Sequence, residues 1–193
     1  DQLTVDIPAV LRRVRRLRDD FVASTVKTTE ELGERAISGR VRLLAPDRLE
    51  VNGEELRAHK IIIATGSRPI VPAPWNSLGN RLLTTDTLFE QATLPARMAV
   101  VGMGPIGAEM AQALSRLGIK VVAFGGSQAI AGLTDPQVIA VATDLLGREF
   151  PLHLGEKAEL SMVGEGVQVR AGNIEVVVDC VLACLLYTSD AAD

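Results

Sequence analysis

Apolar residues recur every three or four positions near the start of the chain: Ile7, Val10, Leu11, Val14, Leu17, Phe21 and Val22. That spacing places them on one face of a helix. Asp6-Ile7-Pro8 predicts its first turn, because a carboxylate caps free N–H groups and proline already has helical φ. Arg12, Arg13, Arg15, Arg16 and Arg18 fall mostly on other positions and read as a solvated face. From Arg35 the period becomes that of short strands, in "RAISG", "RVRLL" and "RLEVNGEEL". Asn52-Gly53 between alternating residues predicts a hairpin, since both turn positions need positive φ. The run 61–63 in "KIIIATGSRPIVPAP" predicts a buried strand. Pro69, Pro72 and Pro74 then mark a stiff connection and a domain boundary.

"RLLTTDTLFEQATLPA" reads as a connector with a short helix after Asp86. A new unit starts at Met98. Residues 98–101 predict a strand, 102–107 a turn, 106–117 a helix ended by Gly118, and 120–124 a second strand. Asp135-Pro136 predicts a further helix to about Gly147. "FPLHL", "KAELSMV", "GVQVRAG", "IEVVVD" and "CVLA" read as short strands. Strands alternating with helices in this way predict an α/β fold.

The chain has 193 residues, of which 47% are hydrophobic, enough for one or two modest domains with a real core. Its net charge of −4 carries no basic excess, so no nucleic-acid partner is expected. No apolar run approaches the roughly 18 residues of a membrane span. The amphipathic start does not resemble a signal peptide, and a cytoplasmic location is expected. Cys180 and Cys184 are spaced C-x₃-C, which is neither a redox C-x-x-C nor a zinc framework, and they read as small buried hydrophobes. No metal site is expected. His59 reads as a turn residue and His153 as a strand residue, neither of them catalytic. The chain starts at Asp1 without Met and is expected to be a fragment.

The stretch "VVGMGPIGAE" carries Gly102-x-Gly104-x-x-Gly107 between a predicted strand and a predicted helix. Gly102 makes the tight turn, Gly104 leaves room for a pyrophosphate, and Gly107 lets the helix pack on the strand. The helix N-terminus, led by Pro105 and Ile106, offers free N–H groups and the positive end of its dipole. Such a loop is expected to bind NAD or NADP. The acid that usually accepts from the ribose should lie about 20 residues on. There the chain reads Gly125-Gly126-Ser127-Gln128, with neither an acid for NAD nor a base for NADP. The choice of coenzyme stays open.

Three segments together resemble a known family. "HKIIIATGSRP" resembles the A-T-G segment of the flavin-dependent pyridine nucleotide–disulfide oxidoreductases. "AVVGMGPIGAEMAQALSRLGIKVVAF" resembles their second Rossmann unit, and "VDCVLA" the strand before their second A-T-G-R. Within the family, "LTDPQV" and "EFPLHL" suit the dihydrolipoamide dehydrogenase branch. Glutathione reductase, mercuric reductase, soluble transhydrogenase and a non-catalytic nucleotide-binding redox sensor are the alternatives.

The resemblance implies a Rossmann-like FAD/NAD(P)-binding fold. Residues 1–70 would be the last part of an FAD domain, 71–95 a linker and 96–183 a truncated NAD(P) domain. Ala64, Thr65, Gly66 and Ser67 would lie against FAD. Gly102, Gly104, Pro105, Ile106, Gly107 and Gly125 would line the NAD(P) site. Glu109 would sit on the first turn of the helix, near the nicotinamide. Pro105 stands where the family often has Tyr, so no aromatic gate is expected. The redox C-x₄-C and first FAD loop of the family precede the matched region, and its His-Glu pair and dimer interface follow it. No catalytic residue is therefore expected in this chain. The resemblance further implies a small-molecule or protein-bound dithiol or disulfide substrate and a homodimeric parent. The closing stretch "CLLYTSDAAD" (184–193) resembles a translated sequencing adapter, and is expected to be a non-native tail.

Overall fold

The computed structural model describes residues 5–185. The chain divides into two compact units, Arg15–Gly66 and Asp1–Val14 with Ser67–Asp193.

The first helix, α1 (Ile7–Glu30), starts where the capping pattern predicts. The Ala9 N–H donates to Asp6 Oδ1 at 3.0 Å. The helix continues past the apolar pattern through a threonine-rich end, where Thr25, Thr28 and Thr29 hydroxyls donate to carbonyls four residues back. The predicted stripe is buried only at Leu11, and Phe21 is 74% exposed. Periodicity reported the helix but not what covers it.

The smaller unit carries an antiparallel sheet of β1 (Val41–Ala45), β2 (Arg48–Val51) and β3 (Glu54–Arg57). Asn52 and Gly53 have φ of 53° and 86°, and Val51 pairs with Glu54 across them. The expected two-residue hairpin is thus present. "RAISG" is not a strand: Gly33–Arg35 is a short 3₁₀ turn and irregular chain follows it. The predicted strand at 61–63 is also absent. Ile62 is 90% exposed, and among the described residues no backbone hydrogen bond forms from 59 to 68. An apolar run becomes a strand only when a neighbour satisfies its N–H and C=O groups, and none of the described residues does so here.

The larger unit is built on a parallel sheet in the order β4-β11-β5-β6-β7. These strands are β4 (Leu82–Thr84), β5 (Arg97–Val101), β6 (Lys120–Gly125), β7 (Leu152–Leu154) and β11 (Cys180–Ala183). Two helices, α2 (Pro105–Arg116) and α3 (Pro136–Gly147), follow β5 and β6. A second sheet of β8 (Glu159–Val163), β9 (Gly166–Ala171) and β10 (Ile174–Val178) is antiparallel.

Alternation along the central strands makes three layers. Met98 and Val100 of β5 share one core cluster with Ala111 and Leu114 of α2, against which Ile139 and Leu146 of α3 also pack. Ala99 and Val101 face the other way and join Val167 and Val169 of β9. Both faces of the parallel sheet are therefore dry, which accounts for the continuous apolar runs in β5, β6 and β11. A fully buried side chain such as Leu114 or Phe124 contributes about 2 kcal/mol.

Within 71–95, read from sequence as a connector, a 3₁₀ segment (Ala73–Arg81) puts Trp75 and Leu78 into the second core cluster. The strand β4 adds an edge to the sheet, and Leu88 is buried in the short 3₁₀ turn that follows Asp86. Three residues are too few to show a strand period, so β4 left no readable pattern. Helix α2 ends in a left-handed Gly118 (φ 93°), with Ile119 N–H donating to Leu114 O at 3.1 Å. Asp135 caps α3 by accepting from Gln137 and Val138 N–H.

Asp179 ties the start of β11 to β5. It accepts from Arg97 N–H at 3.0 Å and from Arg97 Nε at 3.1 Å. The guanidinium holds its carboxyl below the usual carboxylate range. Its contribution to stability is therefore present above that range and lost as pH falls through the lowered value. Asp179→Asn is expected to lower the Tm by a few degrees at pH 7. The deficit should shrink towards zero on acidification, as read by thermal unfolding at stepped pH.

Candidate nucleotide-binding site

The glycine turn occupies the carboxyl end of β5, at the centre of the parallel sheet. Gly102 has φ of 101°, a conformation side chains rarely adopt, and its N–H donates to Phe124 O at 2.9 Å. That bond ties the turn to β6. A Cβ at Gly107 would run into the carbonyl oxygen of Gly102. The helix can approach the strand only because position 107 has no side chain. A Cβ at Gly104, by contrast, would meet nothing within 4 Å.

The first intrahelical bond runs from Ala108 N–H to Gly104 O at 3.0 Å. Pro105 is the first helical residue and has no N–H to leave unpaired. Among the described residues, the N–H groups of Gly104, Ile106 and Gly107 have no partner. Three donors and the positive helix end thus gather beside the open space at Gly104. Glu109 is exposed and is the fifth residue of α2. It lies on the second turn, not the first, because the helix begins one residue earlier than predicted.

Gly125 closes β6 and is buried. A Cβ there would lie 2.7 Å from Leu154 Cδ2 and 3.1 Å from Met103 Cβ. Leu154 of β7 and Met103 of the glycine turn therefore crowd the place where the ribose acid is missing. The Gly155 N–H donates to Gly125 O at 2.9 Å and to Ser127 O at 3.2 Å. This binds the turn after β7 to the end of β6. It also brings Lys157 against Gly126, where a Cβ would lie 3.6 Å from Lys157 Cγ. Sequence reading missed Lys157 because it belongs to the next strand connection. Comparing the tips of adjacent parallel strands would have found it.

Ala64, Thr65, Gly66 and Ser67 form a different, exposed stretch of chain. Gly66 has φ of 71° with open space where a Cβ would be. His153 packs its ring on Phe124, with centroids 5.3 Å apart. His59 is exposed in an irregular segment. Cys180 and Cys184 are both buried and free. Burial pushes each thiol up to about 11, and Cys180 Sγ donates to Arg81 O at 3.0 Å. Neither is a thiolate at neutral pH, so neither is a ready nucleophile.

The parallel sheet, the glycine turn at its centre and the helix behind it define an α/β, Rossmann-like fold. A family model described as pyridine nucleotide-disulphide oxidoreductase matches residues 12–181. The chain belongs to this family. It is 32% identical over 159 residues to a glutathione reductase of Burkholderia cepacia, covering 80% of this chain and 31% of the relative. It is 28% identical over 186 residues to a dihydrolipoyl dehydrogenase of Chlamydia trachomatis serovar D, covering 89% and 39%. The chain thus spans 31% and 39% of these relatives' lengths. Among solved structures, the copper(II) complex of a variant of the HOCl-induced flavoprotein disulfide reductase RclA from Escherichia coli superposes with a TM-score of 0.75. Its identity is 20%, over 92% of this chain and 42% of the other.

Two outcomes test this geometry. Gly107→Ala should cost about 3 kcal/mol in urea unfolding, because backbone and not a mobile side chain blocks the new methyl. At pH 8 the native chain should react with a thiol reagent at less than about a tenth of the rate seen in urea.

Proposed function

We propose that this chain is the nucleotide-holding part of an FAD-dependent, NAD(P)-linked oxidoreductase acting on a dithiol or disulfide. The observation that carries this reading is the trio of unpartnered N–H groups on Gly104, Ile106 and Gly107 beside open space. A pyrophosphate has the charge and the acceptor oxygens to satisfy them. Gly104 keeps side chain out of the approach, and Gly102 and Gly107 hold the turn against the sheet. Ala64, Thr65, Gly66 and Ser67 would run along the flavin, where small residues let the backbone pass closely. Among the described residues the backbone of 59–68 makes no hydrogen bond, which supports that role and favours a flavoprotein over a sensor with one nucleotide site.

When bound, the two cofactors supply the hydride and electron transfer, and the protein supplies position and field. Glu109, exposed on the second turn of α2, would face the nicotinamide side. Glutathione and dihydrolipoyl substrates, as in the named relatives, are the two substrate readings. A homodimeric, cytoplasmic parent belongs to the same proposal and is carried by the family resemblance. Among the described residues no helix is long and apolar enough to cross a membrane.

Gly104→Ala tests the site without disturbing the fold. Its φ of −65° and ψ of −175° suit alanine, and the methyl points into open space. The Tm should stay within a degree or two of the parent. Affinity for NADH and NADPH, read by calorimetry, should fall by about tenfold or more. Unchanged affinity for both would refute the assignment.

A further inference from the structure

We propose that the dinucleotide site prefers the 2′-phosphorylated coenzyme, NADP(H), and that Lys157 is the residue that selects it. This rests on the dinucleotide reading above. The adenosine ribose of a dinucleotide lies at the carboxyl end of the strand after the glycine turn, which here is β6. A carboxylate at that end favours NAD by accepting from the ribose hydroxyls and repelling a 2′-phosphate. At Gly125 there is no carboxylate, and a Cβ there would crowd the tip of Leu154 and Met103 Cβ. The repulsive element is thus absent from the end of β6.

A cation stands in its place. The aliphatic stem of Lys157 lies along Gly126, the residue that follows the strand end. Gly126, Gly155, Lys157 and Arg170 line a common cleft of about 500 Å³ with Glu156, Glu159 and Gly172. The charges in this cleft are not equivalent. Arg170 sits on β9 between Glu159 of β8 and Glu175 of β10, and pairs with Glu175 at 2.8 Å. Its charge is committed to its neighbours. Glu156 leans over Gly172, with its Cγ 3.2 Å from where that residue's Cβ would be. Lys157 makes no ion pair among the described residues. Exposed and flexible beyond its Cγ, it can meet a phosphate as a point charge. The Gly155 bonds to Gly125 and Ser127 carbonyls fix the base of its turn against β6.

The test is calorimetric titration of the full 193-residue chain with NADP⁺ and NAD⁺ at low and moderate salt. The parent should bind NADP⁺ about tenfold or more tightly than NAD⁺, and salt should weaken only that difference. Lys157→Gln should remove the difference by raising the Kd for NADP⁺ about tenfold, with the Kd for NAD⁺ within twofold. Lys157→Arg should retain most of it. 2′-AMP should compete better than 5′-AMP with the parent and equally with Lys157→Gln. Equal or tighter binding of NAD⁺ by the parent would overturn the proposal. So would a Lys157→Gln loss shared equally by both coenzymes. Binding of neither coenzyme by a chain folded by circular dichroism would instead bring down the dinucleotide reading itself.

Discussion

The contact between position 107 and the carbonyl of Gly102 governs the larger unit. Any side chain at 107 would push α2 away from β5. With the helix seated, its apolar face meets Met98 and Val100, and its first turn lies at the tip of the sheet with N–H groups uncommitted. Packing and binding are therefore one constraint. The same absence of a methyl group that closes the core leaves the phosphate donors facing outward.

The sheet is held from both sides, and this explains how the site stays ordered. Helices cover one face, while β8, β9 and β10 cover the other together with Trp75 and Leu78. The strand ends that carry Gly102 and Gly125 are joined to each other by the Gly102 N–H bond to Phe124. The turn after β7 is tied to the end of β6 through Gly155. Each loop at the carboxyl edge thus inherits rigidity from a buried strand, which is where open α/β sheets bind their ligands.

Much of this was readable beforehand. The helix caps at Asp6 and Asp135, the Asn52-Gly53 hairpin and the strand–turn–helix–strand unit at 97–125 each have a local chemical cause. The elements that escaped depend on distant partners. The strand β4 exists because β11 lies beside it. The run 61–63 has every intrinsic feature of a strand and, among the described residues, no neighbour to pair with. Glu109 moved to a second turn because the helix starts at Pro105. At the site, the glycines were legible as a spacing. The crowding of Gly125 was not, since it comes from Leu154 and Met103, distant in the chain.

The bare stretch from 59 to 68 has a consequence of its own. It presents exposed Ile62 and Ile63 and, among the described residues, backbone groups without a partner. A ligand or further chain laid along it would cover Ile62 and Ile63 and give those groups partners.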